Sequence, residues 1–274
     1  MEALRKLLKK NPDLLRFSSV DLGKKKRIQR YDQAIEDSFD KLEDIAKEYL
    51  TWVAKMPGWR LETGEKVFHY GKKAAEDYVL TLTDVTRLFN TTFPKRLRGA
   101  LLGFFVSGAY HEVIREDDVL LLDLSNYAGT VSGLGYRHPR GRLNIIGNRT
   151  YYLGVNMQGG EIVLKGSAGS HVGTFMEDGQ IIIEGNAGNW IGQLMRGGVI
   201  RVEGDGGHII GKNMTGGEIV IQGDAGSWVG DGMRKGIIRI RGECGAIDEE
   251  RRGGEILRWQ GQRWQAIEGI NTAM

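Results

Sequence analysis

GNAGNWIGQLMRGGVIRVE (Gly185–Glu203), GDGGHIIGKNMTGGEIVIQ (Gly204–Gln222) and GDAGSWVGDGMRKGIIRIR (Gly223–Arg241) follow one another without a gap and are the same sentence written three times. The phase extends in both directions. Gly147, Gly166, Gly185, Gly204, Gly223 and Gly242 step by nineteen residues, and two further glycine series, from Gly154 and from Gly141, keep the same step. Met157, Met176, Met195, Met214 and Met233 form a fourth. A fixed period near twenty residues means stacked units, each of which buries its apolar face only against its neighbours.

A helical repeat is excluded because glycine every six or seven residues would break the helices. The runs between glycines (Glu161–Leu164, Gln180–Ile183, Glu218–Ile221, Gly236–Ile240) are strand-length and β-branched. Three glycines per repeat give three short sides and three corners: one coil of a right-handed, single-stranded parallel β-helix. Gly suits such corners because it adopts φ > 0 and admits close backbone approach.

Stacking the repeats produces columns. Ile162, Ile181, Ile200, Ile219 and Ile238 form one. Leu164, Ile183, Val202, Ile221 and Ile240 lie two residues on and share the same face. Leu153, Val172, Ile191, Ile210 and Val229 form a third inward column, and Ala168, Ala187, Gly206, Ala225 and Cys244 a column of small residues at a tight corner. Methionine fills the remaining space, as a flexible side chain can. The column Lys165, Glu184, Glu203, Gln222, Arg241 is polar and faces water. At ~4.8 Å per rung, about six rungs make a rod of roughly 30 Å.

The unit Gly185-Asn186-Ala187-Gly188-Asn189-Trp190-Ile191-Gly192 with Met195-Arg196-Gly197-Gly198 resembles the GXGXG-type β-helix repeat. That repeat is found in the repeat-bearing subunit of formylmethanofuran dehydrogenase and its formyltransferase/hydrolase relative, and in the C-terminal domain of the glutamate synthase large subunit. The resemblance covers roughly residues 120–262. It implies a non-catalytic subunit or spacer that holds the catalytic parts of a multi-subunit oxidoreductase. It also implies that a molybdenum/tungsten cofactor, flavin or iron–sulfur cluster would reside in partner subunits rather than in this chain. The long N-terminal region departs from that pattern.

Composition narrows the field. A net charge of +3 gives no electrostatic footprint for nucleic acid. One cysteine excludes a disulfide framework and a CxxC metal motif. No run of eighteen apolar residues exists, and the N-terminus lacks an apolar signal core, so a cytoplasmic, membrane-free setting is the expectation.

Residues 1–115 read as a mostly helical domain, and residues 116–274 as the β-helix with a C-terminal cap. Leu4, Leu7 and Leu8 predict a short helix, and Lys24-Lys25-Lys26-Arg27 a solvated charge run. Tyr31, Ile35, Phe39, Leu42, Ile45, Ala46, Tyr49 and Val53 predict a helix over 29–55, stopped by Met56-Pro57-Gly58. Residues 72–77 predict a short helix, and Thr83 caps another that Asn90-Thr91-Thr92-Phe93-Pro94 breaks. Lys95–Ala109 reads as a buried helix despite Gly99, Gly103 and Gly108. The first coil begins near Val119, and Trp264 belongs to the cap.

No catalytic constellation emerges. His69, His111, His138, His171 and His208 share no metal-like spacing. Asp205 and Asp224 follow Asn186 in the repeat, a corner position where such side chains bond nearby backbone. Every turn from Gly147 to Gly242 is short, with no insertion to wall a cleft. Gly206-Gly207-His208-Ile209-Ile210-Gly211 is one corner of many, not a phosphate loop.

The informative feature is the column Tyr152, His171, Trp190, Ile209, Trp228. Its sequence neighbours point inward, so alternation places it outward. Val163, Ile182, Arg201, Val220 and Arg239 form a second outward column. Aromatic and aliphatic stripes with arginine are what interfaces use. Tyr152, His171, Trp190, Trp228, Arg201 and Arg239 are therefore interface candidates, for the N-terminal region or for another polypeptide. Other subunits, a homo-oligomer, a free-standing glutamate-synthase-type domain, a self-contained protein acting on a glycan or small ligand, and end-to-end self-assembly are the alternatives to be separated.

Overall fold

A computed structural model describes residues 40–55, 61–93, 101–125, 127, 129–248 and 251–267. The expected helix at Leu4–Leu8, the basic run at Lys24–Arg27, the apolar positions Tyr31, Ile35 and Phe39, the Met56–Gly58 stop and Lys95–Gly99 lie outside these. Contact density divides the chain between Asp44 and Ile45. In the first unit residues 40–44 are helical; in the second the described residues run from Ile45 to Ile267.

Residues 45–53 are helical, followed by α1 (Leu61–Asp77), α2 (Leu82–Arg87), a π-helical turn (Leu88–Thr92) and α3 (Leu102–His111). The short helix expected at 72–77 is thus the C-terminal part of one longer helix. Its glycines explain how it packs against α3. A Cβ on Gly71 would lie 2.0 Å from the Phe105 carbonyl oxygen, and one on Gly108 1.9 Å from that of Phe68. Each helix approaches the other's backbone where the other lacks a side chain. Thr81, not Thr83, caps α2: Asp84 N–H donates to Thr81 Oγ1 at 3.2 Å, and Thr81 N–H donates to Asp84 Oδ2 at 2.9 Å. Asn90 to Thr92 do not break the helix but widen it into the π turn. Tyr49, Phe93 and Phe105 make mutual ring contacts in the core beneath.

From Val119 the chain is a parallel β-solenoid of about seven turns of roughly nineteen residues. One face is a nine-stranded sheet. Its strands, in order, are β1 (Val119–Asp123), β3 (Arg142–Ile146), β5 (Glu161–Lys165), β6 (Gln180–Ile183), β7 (Val199–Val202), β8 (Thr215–Ile221), β9 (Lys235–Ile240), β10 (Glu255–Trp259) and β11 (Trp264–Ala266). Pairing is parallel throughout except β10–β11, an antiparallel hairpin. β2 (Val131–Ser132) pairs with β4 (Thr150–Tyr151) on a second side. The predicted columns are the observed register: Ile162 faces Ile181, which faces Ile200, then Ile219, then Ile238, all fully buried. Each such isoleucine contributes roughly 1.5–3 kcal/mol through burial. The small-residue corner forms a run of single bridges from Ala168 to Cys244.

The three glycine series are three kinds of hole, each filled from an adjacent rung. A Cβ on Gly154, Gly173, Gly192 or Gly211 would meet the Cδ1 of Ile181, Ile200, Ile219 or Ile238 at 2.4–2.5 Å. One on Gly179, Gly198, Gly217 or Gly236 would meet the methyl of Met157, Met176, Met195 or Met214 at 2.7 Å. One on Gly204, Gly223 or Gly242 would meet Oδ1 of Asn186, Asp205 or Asp224 at 2.1–2.2 Å. In the first two series φ is also positive, as expected of corners; in the third, Gly185 and its successors do not need φ > 0 and are glycine for room alone. Isoleucine, methionine and glycine therefore share one period because each makes space for the next.

Candidate outer-stripe interface

The side chains of the aromatic column reach the surface for a reason other than strand alternation. Tyr152, His171, Trp190, Ile209 and Trp228 all have φ between 56 and 66°, the left-handed region that costs a non-glycine residue roughly 1–2 kcal/mol. The backbone holds them there. His171 N–H donates to Asn189 O, Trp190 N–H to His208 O and Ile209 N–H to Ser227 O, each at 2.9 Å, all in the following coil. Two residues on, Gly173, Gly192 and Gly211 N–H donate at 2.8 Å to Leu153, Val172 and Ile191 O of the preceding coil. The corner thus bonds upward and downward alternately, and this double ladder sustains the strain at each rung.

Three of these rings stack face to face along the rod. Tyr152 and His171 are 4.5 Å apart at 7°, and His171 and Trp190 5.6 Å apart at 9°. The imidazole is a filling in this stack: burial holds its pKa below the ordinary histidine value, partly offset by a hydrogen bond with Gln193. Ile209 interrupts the column, and Trp228 stands apart, tilted against His208 at 5.9 Å and 55 % exposed, whereas Tyr152, His171 and Trp190 are only half-exposed.

Arg201 and Arg239 lie on the outer face of the sheet, and both are already engaged. Arg201 pairs with Glu203, and the Gln222 amide oxygen, turned toward it, accepts at 2.8 Å. Arg239 pairs with Glu218. The column they belong to is less open than alternation predicts: Val163 and Val220 are 5 % and 8 % exposed.

Sequence reasoning missed three features. Lys212 Nζ lies 5.8 Å over the Trp190 ring and 2.5 Å from Asp231 Oδ2, joining the stack to a charged row. The signal was there, since the column Val155, Thr174, Gln193, Lys212, Asp231 turns polar midway. The second is an Asx ladder along the corner. Ser167 N–H donates to Asn148 Oδ1, Asp205 N–H to Asn186 Oδ1, Asp224 N–H to Asp205 Oδ1 and Glu243 N–H to Asp224 Oδ1, at 2.7–2.9 Å. The expected local role of these side chains is met between rungs rather than within one. His208 takes part in a parallel ladder, its Nδ1 accepting from Ser227 N–H at 3.0 Å.

The third is a buried clamp. Tyr110 Oη donates to His138 Nδ1 at 3.2 Å, and His138 Nε2 lies 3.3 Å from Gly141 O. Both residues are fully buried, with Ser107 Oγ donating to Gly133 O at 3.0 Å beside them. Burial pulls the His138 pKa down to about 4, with the Gly141 bond opposing and the nearby His111 assisting. The neutral imidazole, donating from Nε2, pins α3 to the first coil.

The Cys244 thiol, half-buried in the small-residue corner, is pushed up to about 11 by burial and stays protonated, unlike a nucleophile. Among the described residues no group of three or more His, Cys, Asp or Glu converges as a metal site. Among those residues, too, no helix is long and apolar enough to cross a membrane. A shallow hollow of about 340 Å³ is lined by Lys47, Glu48, Thr51, Trp52, Lys55 and Tyr70 and holds one carboxylate.

No curated protein matches this chain. The sequence profile of the GXGXG motif family matches residues 72–261, well over half of the 274 residues. That span takes in every coil of the glycine, isoleucine and methionine lattice, and by that match the chain belongs to the GXGXG motif family.

Proposed function

We propose that this chain is a non-catalytic scaffold subunit of a multi-subunit oxidoreductase, of the kind of the repeat-bearing subunit of formylmethanofuran dehydrogenase, and that it docks its partners along the outer stripe. The observation that carries the proposal is the economy of the solenoid. Its corner side chains, Asn186, Asn189, Asp205, His208 and Asp224, are bonded to the next rung's backbone. What remains outward and rigid is the row of ring edges ending in Trp228, with Lys212 beside it. A stiff rod with a periodic aromatic and cationic margin suits positioning rather than turnover. Redox groups (a molybdenum or tungsten cofactor, flavin or iron–sulfur clusters) would belong to the partner subunits.

The stack also bears on the alternative in which the column grips a glycan. Sugar recognition by aromatic residues uses exposed ring faces, and here the faces of His171 and its neighbours are turned to each other. Purification from the native source under gentle conditions, followed by native mass spectrometry, tests the proposal. Fixed-stoichiometry partners that include a cofactor-bearing subunit are expected. Partners of the glutamate synthase type would move the assignment to that relative, and recovery of this chain alone or as a homo-oligomer would defeat the proposal.

A further inference from the structure

β1 is the first strand of the nine-stranded sheet, and β3 occupies only one of its edges. The other edge ought to present free N–H and C=O groups, the arrangement through which sheets recruit a further strand. Among the described residues, one side chain bonds to it, at Leu121 and Asp123. Asn90 Nδ2 donates to Leu121 O at 3.0 Å, and Asp123 N–H donates to Asn90 Oδ1 at 2.9 Å. The amide offers one donor and one acceptor to alternate residues of the strand, as the backbone of a neighbouring parallel strand would.

The π turn is what delivers it. Phe93 N–H closes onto Leu88 O, and the widened turn leaves Phe89 O to accept from Tyr127 Oη at 2.5 Å, tying the segment to the stretch just after β1. At the far end of the same sheet a different device does the same work: β11 folds back antiparallel on β10, pairing Leu257 with Ala266 and Trp259 with Trp264. The β1 edge is thus engaged within the chain by the Asn90 amide at Leu121 and Asp123, and the last parallel strand, β10, is covered by the short hairpin strand β11.

We propose that Asn90 is an edge closure that stops the solenoid from propagating into a second copy of this chain. The partner excluded is an extended edge strand, the open-ended head-to-tail contact that would otherwise generate filaments. The inference is independent of which subunits dock on the outer stripe.

The test compares the parent chain with Asn90→Leu, which keeps the volume and removes both bonds, and Asn90→Asp, which keeps the acceptor but loses the donor. Amide exchange at Asp123 and size-exclusion chromatography with light scattering across a hundredfold concentration range are read together. In Asn90→Leu the Asp123 amide should exchange about tenfold faster, as for the loss of one protecting bond, and the mass should rise with concentration. In Asn90→Asp the Asp123 amide should stay protected. If Asn90→Leu frees the amide and its mass at every concentration equals that of the parent, the edge is not an assembly surface and the proposal falls. If the Asp123 amide is equally protected in all three chains, Asn90 is not what closes it, and the proposal falls also. Should Asn90→Leu not fold, Asn90→Ser, too short to span both partners, carries the same two readouts.

Discussion

His138 offers a quantitative handle on how the helices are joined to the first coil. The imidazole is fully buried between α3 and the corner that ends at Gly141, and its pKa is pulled to about 4 from an ordinary 6.5. In the unfolded chain it takes up a proton as pH falls through 6.5, whereas in the folded chain it refuses one until about pH 4. The folded state therefore binds fewer protons across that window. Stability is complete above about pH 6.5, declines by about 1.4 kcal/mol per pH unit below it, and levels off near pH 4. The cost totals about 3 kcal/mol. His111 and His171, also held below the ordinary value chiefly by burial, add their own slopes, so the comparison must be between chains. His138→Gln keeps a polar group near Nε2 but cannot titrate. Urea unfolding followed by tryptophan fluorescence from pH 7.5 to 4.0 should show the variant less stable at pH 7.5, through loss of the Tyr110 bond. Its stability should also fall about 3 kcal/mol less than the parent's on acidification. Parallel pH curves for the two chains would refute the account of His138 as a buried neutral clamp.

Other consequences are independent of pH. Thr150 Oγ1 is buried without a hydrogen-bond partner; Thr150→Val, nearly isosteric, should raise stability by about 1 kcal/mol, read as a shift in thermal midpoint. Gly108→Ala places a methyl against the Phe68 carbonyl oxygen; because both sides of that contact are backbone, the loss should reach about 3 kcal/mol or more, with calorimetry as the measure. Asp205→Ala removes the acceptor for Asp224 N–H and should cost about 1 kcal/mol. Asp205→Asn, which keeps the acceptor and relieves a like charge beside Asp224, should match or exceed the parent in the same denaturant titration.

The solenoid was legible because its contacts repeat. Once Ile162 and Ile181 share a column, every later rung restates the same choice, and the spacing of Gly192 from Ile219 or Gly198 from Met176 is a contact written in sequence. The helical region has no such redundancy. In α1, Gly64 and Gly71 look like helix breakers by propensity, and only α3 reveals why they are tolerated, through the Phe104 ring against Gly64 and the Phe105 carbonyl against Gly71. Likewise Asn90-Thr91-Thr92 has the composition of a helix stop, yet Asn90 is spent on the edge of β1, thirty-one residues away. Alternation turns the outer column away from the core, although those residues adopt left-handed backbone rather than strand geometry. What periodicity did not supply is side-chain pairing across the surface. That Arg201 and Arg239 are matched by Glu203 and Glu218 follows from rotamers, not from spacing.

The claim that the outer stripe is a docking margin meets its most direct test in oxidative footprinting of Trp228, the most exposed tryptophan side chain of the stripe at 55 %. The assembled particle from the native source and the isolated chain would be labelled side by side, with peptide mass spectrometry reading the indole. The account predicts that Trp228 is labelled readily in the isolated chain and is protected at least severalfold in the assembly, with the neighbouring Trp190 following. Equal labelling of Trp228 in both would contradict it, and would leave the column as internal bracing of the rod.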